Sequence, residues 1–257
     1  SPCFLRYGVE QNELQSLLGC FADIYTAFHE DKTQKVKKVG RPKKDDTGLK
    51  EKPTIEKMRE ILVSAISLDE FIKYNNGSLV SVFKNPTSVS KCENLEKYRN
   101  TFFYKQIDRK NVHEQIFLHE TAVSYENFCK FLLDPSSIID EKYMWDIFEK
   151  PHPKLIPSGL NVVIIEQHDD RVHLFCPKNP YQQHIYHDNR PTWFLLRQGN
   201  FYEPIYLYQH KDKKYEYTRV FYEKDNKGVD FALKMVKNNY NKYCHPKPSI
   251  PVTHQRN

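Results

Sequence analysis

The apolar period of this 257-residue chain changes once, across a stretch broken by Pro151, Pro153, Pro157 and Gly159. Upstream, apolar residues recur at helical spacing. Downstream, they fall in short β-branched or alternating runs. Helices first and strands later predict an α+β fold with a mostly antiparallel sheet. Leu14, Leu17, Leu18, Phe21, Ile24, Tyr25 and Phe28 predict an amphipathic helix over 15–29. Ile55, Met58, Ile61, Leu62 and Ala65 predict a second helix starting near Thr54, and Ser67-Leu68-Asp69-Glu70 spells a capping box. Residues 79–83 are a short apolar run, and 95–118 carry no readable period. Residues 125–133 are helical in spacing up to Asp134-Pro135, and Asp140 caps a short helix through Phe148. Strands are predicted at 161–166, 171–176, 193–197, 205–209 and 215–222, and a closing helix at 229–240.

Composition bounds the function classes. With 39% apolar residues, including 16 Phe and 17 Tyr, the chain can build a core. No apolar run reaches the ~18 residues of a membrane span, so none is predicted. Only 8 residues are Gly, and neither G-x-G-x-x-G nor G-x-x-x-x-G-K-[ST] occurs, which argues against nucleotide enzymes of those kinds. The organisation expected is one α+β domain over 1–244, a flexible insertion at about 30–53 and an extended, Pro-containing tail over 245–257. Ser1 in place of Met suggests a fragment or processed product.

The net charge of +6 is local. Residues 32–52 hold nine basic and three acidic residues, and the remainder holds 30 of each sign. Lys37-Lys38-Val39-Gly40-Arg41-Pro42-Lys43-Lys44 resembles an AT-hook, with Val39 in place of the usual basic residue. DNA or RNA contact would fall to Lys35, Lys37, Lys38, Arg41, Lys43 and Lys44. A solvated linker is the simpler reading.

Six cysteines, at 3, 20, 92, 129, 176 and 244, form no C-x-x-C pair and read as reduced thiols. His184-x-x-His187-Asp188, with His168, Asp169 and His173, fits no closed zinc pattern, so neither metal nor cofactor is expected.

Three stretches resemble the ovarian-tumour (OTU) class of papain-like cysteine proteases. Glu13-Leu14-Gln15-Ser16-Leu17-Leu18 stands where that family starts its nucleophile helix. Tyr143-Met-Trp-Asp-Ile-Phe148, followed by Gly159-Leu160-Asn161-Val-Val-Ile-Ile165, is similar to its helix and central strand. Gly199-Asn200-Phe201-Tyr202-Glu203-Pro204-Ile205 stands where it carries a His-Tyr pair. The resemblance implies an OTU-like fold with a degenerate site. Ser16 replaces the nucleophilic Cys, Phe201 replaces the general base, and Glu203 takes the orienting position. Serine without a base is a poor nucleophile, and Phe accepts no proton. Read without the resemblance, Ser16 is a helix N-cap and Phe201 is core. Cys3, Cys20 and Cys176 are the alternatives for a relocated active site, but none has a His at a defensible spacing.

The opening Pro2-Cys-Phe-Leu-Arg-Tyr-Gly8, Trp145-Asp-Ile-Phe-Glu-Lys-Pro151 and Phe201-Tyr-Glu-Pro-Ile-Tyr206 also resemble large virion proteins of nucleocytoplasmic large DNA viruses. That resemblance implies a catalytically inactive interaction domain in the virion and the viral factory of the host cytoplasm. Its partners would be other viral proteins, either capsid proteins or RNA polymerase subunits. The aromatic run 201–208 is then the expected docking surface. A nucleic-acid-binding accessory domain and an active hydrolase are the alternatives.

Overall fold

The computed structural model describes residues 3–29, 52–84, 94–169, 171–176, 186–211, 214–223 and 227–244. A short strand, β1 (Cys3–Arg6), opens the chain. Seven α-helices follow among the described residues: α1 (Ser16–His29), α2 (Ile55–Ala65), α3 (Leu68–Phe71), α4 (Ser78–Phe83), α5 (Phe102–Gln106), α6 (Val112–Leu133) and α7 (Glu141–Glu149). The later half supplies β2 (Asn161–His168), β3 (Arg171–Leu174), β4 (Thr192–Gln198), β5 (Phe201–Lys211) and β6 (Lys214–Thr218). It closes with α8 (Lys227–Asn239) and a π turn over Tyr240–Cys244.

Local chemistry fixes the helix starts. The Thr54 hydroxyl accepts the Lys57 amide hydrogen at 3.2 Å, and the Asp140 carboxylate accepts that of Lys142 at 3.0 Å. Both halves of the Ser67–Glu70 capping box are made, at 2.7 and 3.3 Å.

The six-stranded sheet runs β1-β5-β4-β2-β3, with β6 also on β5. Only β2 with β4 is parallel; the other four pairings are antiparallel. β5 serves three partners along its length. Its first four residues pair with β4, the next four with β1, and the last five with β6. Leu207 and Tyr208 pair with both β1 and β6, so those two strands flank β5 on opposite edges.

Strand alternation divides the core in two. Val162, Ile164, Trp193, Leu195 and Tyr202 face α1, α2, α6 and α7. Phe21 of α1 lies 4.4 Å from Phe148 and 6.4 Å from Trp193, ring centroid to centroid, which welds two helices to the sheet. Val163, Phe194 and Leu207 face the other way and pack with Phe221, Val229, Leu233 and Tyr240 under α8. No described helix is long and apolar enough to cross a membrane.

Several expectations need correction. Cys176 and Cys244 are joined by a disulfide, not reduced; their Cα atoms are 5.2 Å apart although 68 residues separate them. Topology brings β3's end to the end of the C-terminal helix, and sequence spacing carries no trace of that. Cys3, Cys20 and Cys129 are free thiols, and Cys92 lies outside the described residues. β1 was not expected. The run 79–83 belongs to a helix, and 95–118 holds α5 and the start of α6. The insertion over 30–51 and the tail over 245–257 lie outside the described residues.

Candidate functional site

The start of α1 meets the start of β5. A two-residue loop, Gly199-Asn200, closes the β4–β5 hairpin. Gly199 takes φ +60° at its first position, where a residue without Cβ is favoured. Beyond that loop, one edge of β5 is taken by β4. β1 reaches the opposite edge only from Ile205 onward.

Side chains of α1 complete the edge that β1 leaves open. The Ser16 hydroxyl donates to the Asn200 carbonyl at 3.2 Å and accepts the Tyr202 amide hydrogen at 3.0 Å. One turn later, the Cys20 thiol donates to the Tyr202 carbonyl at 3.3 Å. The Tyr7 amide then donates to the Pro204 carbonyl at 2.9 Å, and β1 takes over. Ser16 and Cys20 thus act as a surrogate strand, satisfying backbone groups that burial would otherwise strand.

The helix start is itself clamped. Gln15 is fully buried, donates to the Asp134 and Ser137 carbonyls at 2.8 and 3.1 Å, and accepts from Arg59 at 2.7 Å. The Gln15 carbonyl accepts the Leu18 amide hydrogen at 2.9 Å, so Gln15 occupies the capping position and Ser16 is not the N-cap.

The degenerate positions therefore separate in role. Ser16 is 1% exposed, and both its partners are backbone groups. Phe201 stands in the chain between Asn200 and Tyr202, the two backbone partners of Ser16. Alternation sends Tyr202 toward α1 and Phe201 to the other side, where it is 44% exposed and not core. Glu203 pairs with Arg6 at 3.3 Å on the sheet edge and orients no base. Cys20, fully buried beside Asp23, has its thiol pushed well above its ordinary value by loss of solvation. That suppresses the thiolate a nucleophile needs.

Two buried carboxylates that sequence reasoning missed anchor the same region. Glu141 accepts from the Tyr202 hydroxyl and from Arg197, the latter at 2.9 Å. Asp23 accepts from the Tyr206 hydroxyl and is flanked by Arg219 at 3.2 Å and Lys52 at 3.6 Å. Burial first, then the neighbouring carboxylate, raises both tyrosine pKa values above the ordinary range. The available signal was an acidic residue within an apolar helical face, as in Ala22-Asp23-Ile24.

Much of the run 201–208, the expected docking surface, is turned inward. Tyr202, Tyr206 and Leu207 are buried in it, and Phe201 is its exposed large hydrophobic residue. Exposed large apolar side chains occur on α5 and the first turns of α6, at Phe102, Val112, Ile116 and Phe117, with Val112 and Ile116 one helical turn apart, and on α8, at Phe231 and Met235. Lys35, Lys37, Lys38, Arg41, Lys43 and Lys44 lie outside the described residues, as does His184. His187 bonds the buried Glu149 at 3.0 Å, Asp188 pairs with Lys237, and the His168 and His173 rings are 6.4 Å apart. Among the described residues, no group of three or more His, Cys, Asp and Glu could hold a metal ion. No protein-family model matches the chain, and neither does any curated protein or solved structure.

Proposed function

We propose that this chain is a non-catalytic interaction domain, an OTU-like fold whose ancestral site has been converted to structure. The observation that carries the reading is the Ser16 hydroxyl, which is spent on the Asn200 and Tyr202 backbone and excluded from solvent. A nucleophile needs a base within reach and an open approach. The meeting of a helix start with the strand carrying Phe201-Tyr202 supports the family relationship. The outward turn of Phe201 extends the loss of function to the base position.

The resemblance to large virion proteins of nucleocytoplasmic large DNA viruses, the large minor capsid protein of African swine fever virus in particular, supplies the setting. In that setting the domain bridges capsid proteins or docks on the viral RNA polymerase. Its contact surface is the exposed apolar group Phe102, Val112, Ile116 and Phe117, since apolar side chains grouped on a surface mark interaction sites. The test is co-purification of viral structural proteins with the tagged domain from infected cells. Ile116→Asp with Phe117→Asp should abolish it without lowering Tm by more than a few degrees. Unchanged co-purification would remove this surface from the account.

A second reading is motivated by the +6 confined to residues 32–52. Phosphate neutralisation by Lys35, Lys37, Lys38, Arg41, Lys43 and Lys44 would give weak, salt-sensitive nucleic-acid binding. Deleting 32–51 should abolish it, and binding that survives the deletion excludes this mechanism.

A further inference from the structure

The Cys176–Cys244 disulfide does not cross the main core. It joins the end of β3, an edge strand paired only with β2, to the end of the π turn that follows α8. Its Cys176 end is tied to the body of the protein. The neighbouring Phe175 amide donates to the Ile164 carbonyl at 2.8 Å, and the Phe175 ring lies 6.4 Å from that of Trp145. Its Cys244 end is the far end of the C-terminal layer. Both cysteines are half-buried.

The layer it fastens is thinly held. Val229, Leu233 and Tyr240 are its buried apolar anchors, packed on Val163, Phe194, Leu207 and Phe221. The Tyr240 hydroxyl donates to the Val162 carbonyl at 3.2 Å, and Lys237 pairs with the exposed Asp188. Surface ion pairs of that kind contribute little. The helical face of the sheet, by contrast, is filled by α1, α2, α6 and α7, and neither disulfide cysteine lies in any of these helices.

We propose that Cys176–Cys244 is a redox latch on the α8 layer. When it is closed, α8 covers the rear face of the sheet. A dithiol reductant breaks the S–S bond in a two-electron exchange. The two cysteine sulfurs each take up a proton, and the reductant closes to its own disulfide. The π turn then loses its tether, and α8 opens locally while the helical layer and the β1-β5-β4-β2 sheet stay folded. Opening bares Val163, Phe194 and Leu207, an apolar face available in the reduced form only.

Hydrogen exchange with mass-spectrometric readout, run on the whole chain with and without dithiothreitol, tests this. The oxidised protein should contain one disulfide by mass. Reduction should speed exchange in 227–244 by on the order of a hundredfold, since the bond ties the far end of this layer back to the folded body and restricts its open state. Exchange in α1, α2 and α6 should change less than threefold. Cys244→Ser should reproduce the reduced pattern and be insensitive to dithiothreitol. Four outcomes overturn the latch: six free thiols in the protein purified without reductant, unchanged exchange in 227–244, loss of protection across all helices at once, or a Cys244→Ser variant that still responds to reductant.

Discussion

The Ser16 hydroxyl accepts the Tyr202 amide hydrogen at 3.0 Å, which fastens the first residue of α1 to the open edge of β5. Chain separation of 186 residues makes this a tertiary bond and not a local cap. It sits in a buried setting, so its loss leaves a backbone donor without water to replace it. Ser16→Ala should therefore lower stability by about 1–3 kcal/mol. Urea unfolding would measure it. Ser16→Thr, which keeps the hydroxyl, separates the lost bond from altered volume.

Glu141 is nearly buried between Arg197 and Tyr202. Glu141→Ala removes the acceptor of the Tyr202 hydroxyl and leaves Arg197 with Glu166, at 3.7 Å, as its remaining carboxylate. The expected loss is about 1–3 kcal/mol, mainly from the Tyr202 hydroxyl left without its acceptor. Removing both partners, with Arg197→Met added, should recover part of it. Thermal unfolding of the single and double variants gives the coupling directly.

The tyrosines predict a pH limit. Burial and the adjoining carboxylates raise the Tyr202 and Tyr206 pKa values, so the folded state retains phenol protons that the unfolded chain loses near pH 10. Above that pH the native state binds more protons than the unfolded one, and stability falls as pH rises, by about 1.4 kcal/mol per pH unit for each such tyrosine. Below pH 10 this contribution is constant. Urea titrations from pH 9 to 11 should show the decline, and Tyr206→Phe should reduce its slope by one tyrosine's share, since Tyr202 and other raised tyrosines remain.

Gly19 lies inside α1, where alanine ordinarily adds about 1 kcal/mol of helix stability. Here a Cβ would collide with the Glu10 carbonyl oxygen, a backbone atom that cannot swing aside. Gly19→Ala should instead destabilise, by about 1–3 kcal/mol. A stabilised variant would mean that the segment before α1 yields freely.

Legibility in the sequence followed the strength of local chemistry. α1, α2, the Ser67–Glu70 box and the Asp140 cap were readable because their apolar spacing and capping side chains lie within one turn of each other. The positions of β2 and β4 were readable from apolar and β-branched runs and the Gly199 turn, whereas their order in the sheet was not. The start of α6 was not, because Val112, Ile116 and Phe117 turn apolar side chains outward and blur the period. β1 has only four residues, all exposed, with nothing to mark it. For the candidate site, spacing placed Ser16 at a helix start, and the strand expected over 205–209 begins four residues earlier, at Phe201. Spacing could not tell that Ser16 reaches the strand's backbone while Phe201 faces away. That depends on which edge of β5 the short β1 fails to cover. The disulfide and the buried partners of Asp23 and Glu141 are likewise products of topology.

The central claim is that Ser16 is a structural residue, and reaction with an electrophilic ubiquitin probe tests it most directly. The intact chain and its Ser16→Ala variant would be incubated with the probe and compared by intact mass. The account predicts no adduct on either protein, together with a lower urea midpoint for Ser16→Ala. An adduct on the intact chain that disappears in Ser16→Ala would contradict it.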